Sequence, residues 1–204
     1  MPGRFFLTRP FSQISEFLGR EATWPDEQPR QSIQPGQEVI VLTAEGAGPM
    51  RWGMIPVGRV NARGRPVMET IINARSETVF DKSAFLGVGR AVVPVDGWYE
   101  WTGEKRRKTA WRIESADGTP LLFAAITDRW IAPGGQHVDQ FAAVTCEPND
   151  DMRPIHHRMG VLLRPEDVRT WLNGSDRQAA SLCVPWPNGR LKIEKAEGVD
   201  WSGP

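Results

Sequence analysis

Apolar residues fall in short blocks along this chain, with few long amphipathic runs between them. Residues 39–42 (Val-Ile-Val-Leu) form one block of strand length, and 91–95 form another. Pro94 in the second block predicts an edge position or a bulge, because proline donates no ladder hydrogen bond. Residues 98–101 and 109–114 alternate apolar and polar around the basic stretch 103–108, the pattern of a hairpin. Residues 121–126, 141–145 and 161–163 add three more short buried strands. Helical spacing is rarer. Phe11, Ile14, Phe17 and Leu18 share one face of a predicted helix over 11–18, with Ser12 near its start. A second helix is predicted over 76–85, capped by Ser76, with Val79 and Phe80 facing inward. A third, over 165–172, opens with Pro165 in its first turn. There is no internal repeat, no long linker and no βαβ rhythm. The prediction is an α+β fold: one compact domain over 1–204, strand-rich mixed sheets around a barrel-like core, and short peripheral helices.

Composition is consistent with that reading. The 204 residues (22.8 kDa) suffice for one domain with a sizeable core, and 20 glycines and 17 prolines suit many tight turns. Two cysteines, Cys146 and Cys183, give no disulfide framework and point to a reducing compartment. The N-terminal apolar run ends in Arg9-Pro10, too short for a secretory signal, and no window is long enough to span a bilayer. A cytoplasmic location and no membrane partner are therefore expected. Lys plus Arg equals Asp plus Glu at 25 each, which argues against coating duplex DNA by bulk charge. Between Arg51 and Arg112 basic residues outnumber acidic ones. That excess fits a phosphate-binding face, but on charge alone a solvated hairpin tip at Lys105–Lys108 is the favoured reading.

Four segments carry candidate chemistry. They are Pro2-Gly3-Arg4-Phe5; Arg51-Trp52-Gly53-Met54-Ile55-Pro56 with Asn73-Ala74-Arg75-Ser76-Glu77-Thr78; Pro94-Val95-Asp96-Gly97-Trp98-Tyr99-Glu100-Trp101; and His156-His157-Arg158-Met159. Taken singly, each has an ordinary structural reading. Asn73 can cap a helix. Glu100 can sit on the solvated face of a strand, or, desolvated between Tyr99 and Trp101, act as a general acid or base. His156 and His157 can be surface histidines, and no third ligand stands at a metal-binding spacing.

Taken together and in this order, the segments resemble the SOS-response-associated peptidase family, also called abasic-site processing proteins, over residues 2 to about 172; 173–204 is expected to be peripheral. The resemblance implies a monomer that acts on abasic sites in single-stranded DNA without cofactor or metal. In that family the initiator methionine is removed to expose a cysteine. Its α-amine condenses with the sugar aldehyde and its thiol closes a thiazolidine ring; the peptidase label refers to the autocatalytic N-terminal processing. Carried onto this chain, the resemblance gives Asn73 the orienting of the N-terminus and sugar, Glu100 a proton shuttle, and His156 either protonation of the ring oxygen or assistance to ring opening. Arg4 and Arg75 would grip flanking phosphates, Trp52 would stack on a base or sugar, and Thr145 would line the site.

The chain departs from the family pattern at three places: Pro2 replaces the cysteine, Gly58 an aromatic, and Gly160 a proline. Cys146 and Cys183 read as inert thiols. Without a thiol at position 2 no thiazolidine can form. A mature N-terminal proline would still offer a secondary amine able to make a transient iminium and drive β-elimination. Three readings stand at this point: an iminium-forming lyase, a module that binds and shields lesions without chemistry, and an altered cysteine-dependent member.

Overall fold

The structure, a computed structural model, describes residues 2–55, 70–81, 85, 87–104, 107–131 and 134–201. The first half contributes β1 (Arg4–Leu7), α1 (Phe11–Phe17), β2 (Arg30–Ile33), β3 (Glu38–Leu42), β4 (Ala47–Trp52), β5 (Asn73–Arg75), α2 (Ser76–Val79) and β6 (Gly89–Val95). The second half contributes β7 (Gly97–Thr102), β8 (Thr109–Ser115), β9 (Leu121–Ile131), β10 (His137–Cys146), β11 (Met159–Gly160), β12 (Leu162–Leu163), α3 (Val168–Asn173), α4 (Asp176–Ser181) and β13 (Leu191–Lys195). Among the described residues no helix is long and apolar enough to cross a membrane.

Five strands close on themselves. β4 pairs with β3, β3 with β6 through Leu42 and Val92, β6 with β9, β9 with β10, and β10 runs parallel back onto β4. Closure removes the exposed edges that a sheet this apolar would otherwise present. The side chains of Val39, Val41, Val93, Ala125, Phe141 and Ala143 belong to its buried core. Past Val92, among the described residues, β6 pairs with β9 alone, and Pro94 sits there, where its missing N–H is tolerated.

A second sheet, in the order β13-β8-β7-β1-β2, packs on this barrel. In its register Phe5 lies beside Trp98 and Ile33, and Trp98 beside Ile113, so these four share the inner face. Phe5 stacks on Trp52 of the barrel with ring centroids 4.2 Å apart and meets Phe123 edge-on at 5.0 Å. Trp98 meets the same Phe123 at 5.3 Å. At the tight turn between β6 and β7 only glycine fits, since a Cβ on Gly97 would come within 2.1 Å of the Ile113 carbonyl.

The hairpin and the short buried strands fall where the pattern predicts them. Two helical expectations are corrected. The second helix is four residues long, its N-cap is Arg75, and Ser76 is its first residue, with no side-chain cap bond. The third begins as a 3-10 turn, Pro165–Asp167, before α3 takes over. Residues 173–204 contribute an edge strand, β13 on β8, and a helix, α4, held by a Ser175–Gln178 capping box. Met1, Pro56, Gly58, Lys82, Lys105 and Arg106 lie outside the described residues.

Candidate functional site

The amino terminus enters the site because β1 is fixed at its other end. Asp96, in the β6–β7 turn, accepts hydrogen bonds from Thr8 N (2.6 Å), Thr8 Oγ1 (2.7 Å), Arg9 N (3.2 Å) and Arg9 Nε. That clamp sets the β1–β7 register at Arg4↔Tyr99. Extended by one residue, the same register brings Gly3 opposite Glu100. Pro2 is buried, and its carbonyl accepts a hydrogen bond from Asn73 Nδ2 at 3.0 Å. Asn73 is therefore no helix cap. It heads β5, which runs parallel to β10 (Ala143↔Asn73), and its Oδ1 is buried with no partner among the described residues.

Glu100 lies on the inner face of β7 with Trp98 and is only 4% exposed. Burial pushes its carboxyl up to about 7, against the opposing pull of the chain's amino terminus and the Trp98 indole. A carboxyl poised there can give or take a proton at neutral pH. His156 follows from the turn after β10. Burial, helped by the positive charge of the amino terminus, lowers it to about 4, so the ring is neutral near pH 7. Its Nδ1 accepts the Arg158 backbone N–H at 2.9 Å. The Arg158 carbonyl, at 3.2 Å from the same nitrogen, would favour a protonated ring. An N–H can only donate, and it is the shorter contact, so the proton of the neutral ring sits on Nε2. His156 can then polarise an oxygen by hydrogen bonding, without being an imidazolium acid.

The other candidates are placed differently. Trp52 is fully buried, stacked on Phe5, with its indole N–H on the Ile72 carbonyl at 3.0 Å. This corrects the stacking role expected for it, since the ring is spent on the interface between barrel and sheet. Thr145 is also fully buried and donates to the Ala74 carbonyl at 3.2 Å. It braces β5 and has no surface for DNA. Arg4 projects from the outer face of the sheet, away from Glu100, where it bonds Ser32 Oγ (2.6 Å) and the Trp201 carbonyl (2.9 Å). Arg75, at the end of β5, is exposed and makes no side-chain hydrogen bond or ion pair among the described residues. Asn73 thus holds Pro2, Glu100 and His156 both respond to the charge of the amino terminus, and Arg75 follows two residues after Asn73 on β5.

The sequence reading gave no role to Asp96, Glu77 or Arg158. Each carried a visible signal, a charge inside a quoted motif, but its charged partner is 81 or more residues away. Gly160 is explained by packing: a Cβ there would meet the Phe123 ring at 2.0 Å, so proline has no room beside this phenylalanine. Burial pushes the Cys146 thiol up to about 12 and the Cys183 thiol to about 11, which leaves both protonated and unreactive. Among the described residues no cluster of His, Cys, Asp or Glu could hold a metal ion. A cavity of about 450 Å³ bounded by Phe17, Leu121, Leu163, Trp186 and Arg190 contains none of the candidate residues.

A family model described as SOS response associated peptidase (SRAP) matches residues 1–197. The chain belongs to that family. Among SRAP relatives, abasic site processing protein YedK of Escherichia coli (strain K12) is 32% identical over 203 residues, covering 91% of this chain and 88% of that protein. Abasic site processing protein YoqW of Bacillus subtilis (strain 168) is 31% identical over 183 residues, or 85% and 80%. Mouse abasic site processing protein HMCES is 30% identical over 174 residues, 69% of this chain and 49% of that protein. A solved structure from Bacteroides thetaiotaomicron superposes with a TM-score of 0.80 at 23% identity, over 96% of this chain and 92% of that one, a likeness of fold.

Proposed function

We propose that this SRAP protein recognises abasic sites in single-stranded DNA and processes them through its amino terminus, with the secondary amine of Pro2 as nucleophile once Met1 has been removed. The observation that carries this reading is the Asn73 Nδ2 bond to the Pro2 carbonyl, beside a carboxyl poised near neutrality. The names of the relatives support the substrate class.

The chemistry balances without a cofactor. The unprotonated Pro2 nitrogen attacks C1′ of the open-chain sugar aldehyde, and its N–H proton and one from Glu100 leave with the carbonyl oxygen as water. The product is an iminium ion. Loss of a C2′ proton to the Glu100 carboxylate then allows the 3′ phosphate to depart, and hydrolysis of the conjugated iminium returns the amine. His156, through Nε2–H, steadies the departing oxygen. Arg75 holds a neighbouring phosphate as a positioning contact that reads no sequence. With no thiol to close a ring, the adduct is transient.

Borohydride tests this directly. Protein verified by intact mass to begin at Pro2 is expected to give a reduced covalent band on an abasic oligonucleotide, whereas protein that retains Met1 gives none. Pro2→Cys is expected to cross-link without borohydride. If verified Pro2 protein binds abasic strands yet forms no band, the protein shields lesions without chemistry.

A further inference from the structure

Arg158 lies where the two motif segments meet. Its side chain is nearly buried, and its Nη1 and Nη2 both donate to the Glu77 carboxylate, at 2.5 and 2.8 Å. Nη2 also donates to the Thr145 carbonyl at 2.6 Å. Thr145 stands opposite Arg75 in the β5–β10 ladder, and its hydroxyl holds Ala74. Glu77 is in α2, four residues after Asn73. One guanidinium therefore ties the segment carrying Asn73 to the strand leading into the His156 turn. The peptide N–H of the same residue donates to His156 Nδ1. An imidazole has two neutral tautomers, and this N–H selects one only if the Arg158 backbone is held in place.

We propose that Glu77 and Arg158 form a latch that fixes the tautomer and orientation of His156 and keeps it in register with Asn73. Glu77 is a positioning residue in this scheme: it acts through Arg158. The fork-to-carboxylate geometry suits the task, since two parallel charge-assisted bonds resist rotation in a way that one bond to a lysine does not. Glu77 is half-exposed, so its desolvation costs little, while the nearly buried Arg158 depends on it. The catalytic consequence rests on the function proposed above; the latch itself does not.

The test uses the full chain free of DNA. Its three histidines are His137, His156 and His157, few enough to assign by long-range nitrogen–proton correlation. In the parent protein His156 should keep a bare Nδ1 and a protonated Nε2 from pH 7 down to about 5. The charged groups around it are the chain's amino terminus, His157 and Arg158. In Glu77→Gln and Arg158→Lys the ring should lose its single tautomer and take up a proton between pH 5 and 7. Borohydride trapping should slow about tenfold, as displaced catalytic groups do. Binding of undamaged single strands by Glu77→Gln should be unchanged or tighter, because a carboxylate that touched phosphate would oppose it. An unchanged His156 signature in a folded variant overturns the latch. Glu77→Gln is a near-isosteric change at a half-exposed site, so it remains readable if Arg158→Lys unfolds. If the parent protein traps nothing, the proposed function fails and the nitrogen signature still decides the latch.

Discussion

The two ends of the β1–β7 pair each bury a carboxylate, and they treat it in opposite ways. Asp96 is 7% exposed and Glu100 4% exposed, and Glu100 is the more deeply enclosed of the two. At the Asp96 end desolvation pushes the pKa up, but the donors of Thr8 and Arg9 outweigh it and hold the group below the usual carboxylate range. At the Glu100 end desolvation prevails and the carboxyl rises to about 7. At Asp96 the bonds from Thr8 and Arg9 outweigh desolvation, and at Glu100 the deeper burial wins. One carboxylate is a structural clamp, and the other is held near neutrality by burial, against the pull of the amino terminus.

Removing the Glu100 carboxyl should have the largest effect. Glu100→Gln is expected to slow trapping on the order of 100-fold, the scale of a lost general acid–base, and single-turnover rates would measure it. Its stability should move the other way. A group whose folded pKa is raised, here from 4.5 to about 7, contributes stability that is complete below about 4.5 and lost as pH climbs through 7. Glu100→Gln should therefore gain on the parent protein between pH 5 and 8, by about 3 kcal/mol at the upper end. A thermal-melt difference independent of pH would dissolve the contrast between the two ends.

Breaking the clamp should instead cost folding. Asp96→Asn leaves Arg9 without its charge partner and weakens the hold on Thr8, an expected loss of roughly 2–3 kcal/mol by denaturant titration. Because the Asp96 pKa is depressed, its contribution is present above about pH 3.8 and fades as pH falls through the lower folded value, the reverse of Glu100. The smallest effect is expected of Asn73→Ala. Loss of one hydrogen bond to the Pro2 carbonyl should cost about 1 kcal/mol, with trapping slowed about tenfold for a loosened nucleophile. A slowing as large as that of Glu100→Gln would place Asn73 in the proton transfers as well.

Much of the architecture is legible in the chain. Apolar blocks of strand length at 39–42, 91–95, 121–126 and 141–145 became barrel strands because their residues are buried among one another. Strands β1, β2, β4, β5 and β13 escaped the pattern. β4 runs Ala-Gly-Pro-Met-Arg-Trp and β5 is three residues long, so neither repeats often enough to register. Among the described residues the strand partner of β5 is β10.

Pro2, Asn73, Glu100 and His156 were marked by the order of the motifs and the family resemblance it carries, since taken singly each residue type has an ordinary structural reading. The sequence likewise determined that no thiazolidine can form, since that needs a thiol that residue 2 lacks. The tertiary structure alone decided the environments: which carboxylate receives donors, which nitrogen of His156 is bare, and that Trp52 and Thr145 are spent inside the protein. Desolvation and hydrogen bonding act over a few ångströms between residues far apart in the chain, and only the closed barrel with its second sheet brings them that close.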